Sequence, residues 1–208
     1  MKKILLFAIL ACLFVSCSSD GSCEIQIDEI SFVPDWEKDK IEDCQKVSSI
    51  FEVVPGKYEL AWTKVQDLPQ AQIYNVSLKL KLRLKKTIKF SQKALDDIGN
   101  EDDYWFYGFE LGLLDADGKQ DRAVQGFGFG YKGATSDGSW FDKDEKMDFV
   151  NFLQSKPGTE KEFELNSYGM ISSTGDDCIE TCKNAKSVVC KVITTDKTFE
   201  RKYGTIVE

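Results

Sequence analysis

Seven cysteines, at positions 12, 17, 23, 44, 178, 182 and 190, offer the most distinctive chemistry in this 208-residue chain, because it contains no histidine. Without an imidazole there is no Ser-His-Asp or Cys-His nucleophile, no histidine-ligated zinc and no ordinary general base near neutral pH. The spacing Cys178-x-x-x-Cys182 is a helical i, i+4 step rather than the Cys-x-x-Cys of zinc ribbons and thioredoxins, so it points to buried or disulfide-bonded sulfur. Carboxylates are the other numerous reactive group. Two of them flanking a cleft about 5 to 10 Å apart could hydrolyse a glycoside, with Asp137, Asp142, Asp144 and Glu110 as the candidates. Nothing in their spacing makes them converge, and the expectation is a noncatalytic protein. Asp115, Asp117 and Asp121 suggest a calcium loop, but the glycine is misplaced and the closing glutamate missing, so a turn is the better reading and no metal or cofactor is implied.

Cys17 stands apart by its context. Lys2 and Lys3 precede an unbroken run of apolar and small residues over 4–15, the charged and hydrophobic parts of an export signal. The run is too short to span a bilayer, which needs ~20 apolar residues. It ends at Phe14-Val15-Ser16-Cys17 and gives way to the polar Ser18-Ser19-Asp20-Gly21-Ser22. That junction resembles a lipobox, which implies cleavage before Cys17, diacylglycerol on its sulfur and acylation of the new amine. Several acyl chains hold a membrane far better than one. The usual Leu three residues before the cysteine is replaced by Phe14, which resembles the relaxed form found in Bacteroides and its relatives. Cys12 competes as a cleavage point, but would leave Leu13-Phe14-Val15 in a segment that ought to be soluble. The chain thus divides into a signal peptide at 1–16, a flexible tether at 17–23 and one globular domain at 24–208.

Losing residues 1–16 removes two lysines and no acid, so the formal charge goes from −8 to −10. Such an acidic chain is unsuited to nucleic acid. With Cys17 lipidated, Cys23, Cys44, Cys178, Cys182 and Cys190 remain, an odd number. Export permits disulfides, and the clustering suggests one bridge from Cys23 or Cys44 to the C-terminal group, its connectivity open.

The positioning elements read mainly as strands. Residues 24–33 look extended, with a break at Pro34-Asp35. Residues 51–54, Pro55-Gly56 and residues 57–63 read as strand, tight turn and strand, Pro-Gly supplying the positive φ of a type II turn. Residues 76–85 alternate with a period of two, aliphatics on one side and mostly cations on the other, as in a half-buried strand. Its basic stripe could bind acidic glycan, could simply be solvated, or could pair with Glu160, Glu162 and Glu164 on a later strand.

Residues 91–98 suggest a helical turn capped by Ser91. Residues 104–114 and 123–131 read as the two strands of an aromatic hairpin turning at Asp117-Gly118. That register sets Trp105, Tyr107 and Phe109 over Gly130, Gly128 and Gly126. A helix over 142–154 ends before Pro157-Gly158. A strand from Lys161, a short helix capped by Asp176 or Asp177 and running through Cys182, a strand over 187–194 and extended chain over 199–207 complete the pattern. The fold class is mainly β with a few short helices (α+β), as an antiparallel β-sandwich-like domain.

Three segments, Ile50-Phe51-Glu52-Val53-Val54-Pro55-Gly56-Lys57-Tyr58-Glu59-Leu60, the alternating strand at 76–85, and Phe152-Leu153-Gln154-Ser155-Lys156-Pro157-Gly158-Thr159-Glu160-Lys161-Glu162-Phe163, resemble an uncharacterised group of lipoproteins from Bacteroides-like bacteria. The resemblance implies a compact β-rich domain on an outer-membrane anchor; it carries no functional residues over. The expected function is a noncatalytic binding or interaction module for glycan or protein. Alternatives are a structural component of an envelope complex and a carboxylate-dependent hydrolase. Trp105, Tyr107 and Trp140 are the ring candidates for stacking on sugar, with core packing as the competing role. Ser18 after the cysteine resembles the pattern sorted to the outer membrane, and Asp20 with Glu24 weakly resembles a surface-export tag.

Overall fold

The computed structural model describes residues 20–35, 41–98, 109–129, 143–192 and 204–207. In chain order the elements are β1 (Gly21–Ile27), β2 (Ser31–Pro34), α1 (Ile41–Ser48), β3 (Phe51–Val53), β4 (Gly56–Leu68), β5 (Ala71–Leu84), β6 (Thr87–Lys89), α2 (Gln92–Ile98), β7 (Phe109–Leu114), α3 (Lys143–Leu153), β8 (Glu160–Ser172), α4 (Cys178–Asn184), β9 (Ser187–Val192) and β10 (Thr205–Val207). The fold is β-rich α+β, with several antiparallel sheets that do not close into a barrel. Among the described residues no helix is long and apolar enough to cross a membrane.

The larger sheet is organised on β5, whose alternation assigns one face to the core and one to solvent. Val76, Leu78, Leu80, Leu82 and Leu84 are each at most 1 % exposed. At roughly 2 kcal/mol per buried aliphatic side chain, this face alone contributes on the order of 10 kcal/mol before entropy is counted. β8 pairs antiparallel along one edge of β5, from Ala71 opposite Ser172 to Arg83 opposite Glu160. β4 takes the other edge, from Leu60 opposite Leu78 to Leu68 opposite Ala71, and β1 adds outside β4.

Pro55-Gly56 does not reverse the chain. β3 and β4 run in the same direction along the same edge of β5, with Phe51 opposite Leu84 and Leu60 opposite Leu78. Gly56 is not among the glycines with positive φ. The reason is the length of β5: its 14 residues can pair with β3 and β4 end to end, and Pro55 falls at the interruption between them, where no ladder N–H is needed. The reversal is made at Pro69-Gln70, between β4 and β5.

The expected tether is also shorter than residue 23. Gly21, Ser22 and Cys23 already pair with Trp62, Ala61 and Leu60. The expected extended run over 24–33 is two strands in two sheets, with residues 28–30 carrying the chain between them.

The second sheet has the order β2-β9-β7. Its β2–β9 pair is parallel, a departure from the all-antiparallel expectation. The chain after β7 ties the sheets together: Leu111 exchanges backbone hydrogen bonds with Phe127 (3.0 and 2.8 Å), while Val124 and Gly128 bridge to Gly169 and Asn166 of β8. An Asp117-Gly118 hairpin would have set Leu111 opposite Val124, so the expected register is wrong by three residues. The turn itself stays close to its expected place, since Asp115 Oδ1 accepts the N–H groups of Asp117 and Lys119 and the Asp115 N–H donates to Lys119 O. The extra residues lie on the returning chain between Lys119 and Phe127, where Asp121 Oδ1 accepts the Ala123 N–H. The ring-over-glycine pairs at Trp105 and Tyr107 lie outside the described residues. Gly126 is covered by the side chain of Glu110.

Inside, α3 packs an aromatic cluster onto the larger sheet. Phe149 stacks on Phe129 at 3.7 Å between centroids and meets Phe163 and Phe51 edge-on. Ser91 caps α2 by accepting the Ala94 N–H (3.2 Å), and Asp177 caps α4. The sequence reading passes over α1. Its apolar stripe is only Cys44 and Val47, too few positions for a helical period to register.

Candidate functional site

Cys17, Cys12, Trp105, Tyr107, Trp140, Asp137 and Asp142 lie outside the described residues. The basic stripe lies within them, and the local reading of it holds for Glu160, with Glu59 and Glu52 rather than Glu162 and Glu164 as the other partners. Lys79 pairs with Glu59 (3.1 Å), Lys81 with Glu160 (3.1 Å), Arg83 with both Glu160 (2.7 Å) and Glu52 (3.1 Å), and Lys85 with Glu52 (3.9 Å). Glu162 and Glu164 stand directly opposite Lys81 and Lys79. These exposed pairs each contribute at most about 1 kcal/mol. They make the outer face a self-neutralised ladder rather than a basic surface for an acidic glycan.

Of the other carboxylate candidates, Asp144 is exposed in the first turn of α3. Glu110 is half-buried on β7, opposite Lys191 of β9. Burial pushes its carboxyl pKa up, the Lys191 ammonium opposes this, nearby Asp35 adds to it, and a hydrogen bond from the Gly126 N–H opposes it. Lys191 also reaches Asp35 at 3.9 Å. The second carboxylate near Glu110 is thus Asp35, which the sequence reading did not single out.

A concave site among the described residues lies elsewhere, in a cleft of about 280 Å³ between the turn after β7 and α4. Its position follows from local sequence. Asp177 Oδ1 accepts the N–H groups of Ile179 and Glu180 at 3.0 Å and starts α4. Gly169 lets the helix lie close to the sheet, since a Cβ there would come within 2.8 Å of both Cys178 Cβ and Val76 Cγ2. Opposite α4, Asp115 shapes its own turn as described, and Asp121 Oδ1 accepts the Ala123 N–H (2.9 Å).

Asp115, Asp121, Asp177 and Glu180 line this cleft, with Lys119 and Asn184 as donors. Three of the four acids use one oxygen to hold backbone, so their positions are set before any ligand arrives. Thr181 also lines the cleft, and its buried Oγ1 has no hydrogen-bond partner among the described residues. A buried polar group without a partner costs ~1–3 kcal/mol, which a ligand hydroxyl or ordered water would relieve. Four carboxylates against one ammonium favour hydroxyl-bearing or cationic groups. Among the described residues no three His, Cys, Asp or Glu side chains are placed to hold a metal ion. The hydrogen bonds of Asp115 and Asp121 to the backbone of their own turns fit the turn reading of this segment. Asp115 and Asp121 were visible in the sequence as turn residues. Their convergence with Asp177 and Glu180, some 60 residues later, was not.

The five described cysteines form no disulfide. The fold nevertheless gathers them: the Cys23 Sγ–H points to the Cys182 carbonyl oxygen at 3.5 Å, and Cys178 lies one helical turn before Cys182. Burial raises the thiol pKa of Cys178 to about 12 and that of Cys182 further. Cys44 and Cys190 are both buried, on α1 and β9. No protein-family model, no curated protein and no solved structure matches the chain.

Proposed function

We propose that this chain is an outer-membrane lipoprotein, anchored through Cys17, whose domain is a noncatalytic binding module with the cleft beside α4 as its glycan site. The observation that carries the reading is the cleft itself, where backbone-held carboxylates surround an unpartnered buried hydroxyl. Asp115, Asp121 and Glu180 would accept hydrogen bonds from sugar hydroxyls, while Lys119 and Asn184 donate to ring and hydroxyl oxygens. At about 280 Å³ the cleft is at the small end of ligand sites, suited to the end of a glycan rather than a long chain. The excess of carboxylates selects neutral or amino sugars over acidic ones.

Titrating a panel of neutral, amino and acidic oligosaccharides into isotopically labelled protein tests this. Amide shifts should concentrate in residues 115–121 and 175–184 with neutral or amino sugars. Asp121→Asn, which keeps an acceptor for Ala123, should weaken them at least tenfold. A panel that moves no amide in these segments rules out the glycan site. The anchor has its own test: palmitate labelling should be lost in Cys17→Ala, and labelling retained there would refute it.

A further inference from the structure

We infer that Cys23 and Cys182 are the partners of a disulfide that ties the first strand to α4. The two residues are 159 positions apart, yet the fold brings the Cys23 sulfur to 3.5 Å from the backbone oxygen of Cys182. Leu60, paired with Cys23 across β1 and β4, lies in the same core cluster as Cys182.

The neighbouring cysteines are poorer partners. Cys178 and Cys182 stand at i and i+4 of one helix, where their Cα–Cβ bonds point the same way rather than toward each other. Cys178 is instead pressed against Gly169 of β8. Cys190 is buried in the second sheet and paired with Leu111 and Phe32.

Cys23 is the only partly exposed thiol of the five described, so it reacts first. Its thiolate attacks one sulfur of an external disulfide, such as oxidised glutathione or the active-site disulfide of a thiol oxidase. A mixed disulfide forms and one thiol leaves. The Cys182 thiolate then attacks the Cys23 sulfur and releases the second thiol. Two protein thiols are oxidised and one external disulfide is reduced, the two protein-thiol protons ending on the two thiols that leave. Lys183 and Lys186 favour the Cys23 thiolate against the burial that disfavours it. The bridge would fix α4, which carries Asp177, Glu180, Thr181 and Asn184, to β1. The pairing does not depend on what the cleft binds.

The test is peptide mapping by mass spectrometry on the full-length protein, alkylated in denaturant without reductant. Two samples are compared, one taken directly from a Gram-negative envelope and one purified and equilibrated with oxidised glutathione. The expected result is a Cys23–Cys182 linked peptide that disappears with reductant, persists in Cys178→Ser and is lost in Cys182→Ser. A link in the glutathione sample alone still supports the pairing. Cys23 recovered as an alkylated thiol in both samples, or linked to Cys178, Cys44 or Cys190, overturns it. Should Cys182→Ser fail to fold, Cys23→Ser, at a half-exposed strand position, supplies the same control.

Discussion

Glu110 lies directly over Gly126, whose N–H it accepts, and a Cβ at that glycine would overlap Cγ and Cδ of the glutamate. Gly126→Ala should therefore expel the carboxylate from its place beside Lys191 and destabilise the domain by ~1–3 kcal/mol in urea unfolding. Glu110→Ala should recover most of that loss in the double variant, because it removes the group the methyl collides with. Additive losses would show that the two do not compete.

The same carboxyl makes a pH prediction. Burial raises its folded pKa above the unfolded value, so folding favours the protonated form. That contribution is fully present below the unfolded pKa of about 4.3 and is lost as pH rises through the raised folded value. Glu110→Gln removes the titration. Relative to wild type, the variant should gain stability from pH 4 upward and level off once Glu110 is ionised. A stability difference flat between pH 4 and 8 would refute the assignment.

Among the elements, α4 is the one whose existence hangs on few residues. Seven residues are too short for a stable isolated helix, so its cap and its contact with β8 have to hold it. Asp177→Ala should cost about 1 kcal/mol and loosen the cleft wall, seen as faster hydrogen exchange over 178–184. If the Cys23–Cys182 bridge is present, closing so long a loop adds at most about 5 kcal/mol by chain-entropy reckoning, and reduction should heighten the effect of the lost cap.

The elements also divide by how far local sequence determines them. β5 could be read because its period of two is uninterrupted, and β8 because Glu160, Glu162 and Glu164 complement it. The caps Ser91 and Asp177 were legible because capping is a contact made within three residues. Pro55-Gly56 misled because the same dipeptide serves a turn or an interrupted strand, and only the length of the partner β5 decides between them. The register after β7 failed for a related reason. The turn at Asp115 is local and legible, but the returning chain between Lys119 and Phe127 carries extra residues that only its pairing with Leu111 and β8 reveals. The cleft was illegible because its two walls are joined only by tertiary packing.

For the whole molecule, the contact made by the first described residue of the domain bears on how it would sit on a membrane. Asp20 accepts the Lys64 N–H at 2.8 Å and β1 begins at Gly21. Three residue steps separate Cys17 from Asp20, a reach of about 10 Å even when fully extended. Lipid on Cys17 would therefore hold one particular end of the molecule at the headgroups, the end where Gly21 pairs with Trp62. Lys183 lies 6.0 Å from the Trp62 ring, while Lys64, two residues along the same strand, is ion-paired with Asp67 at 2.8 Å. In acylated protein whose other three tryptophans are replaced by phenylalanine, brominated lipids should quench Trp62 fluorescence. Ten Gly/Ser residues inserted between Ser19 and Asp20 should abolish the quenching while leaving membrane attachment intact. Unquenched Trp62 in acylated protein with its natural spacing would mean that the domain turns another face to the bilayer.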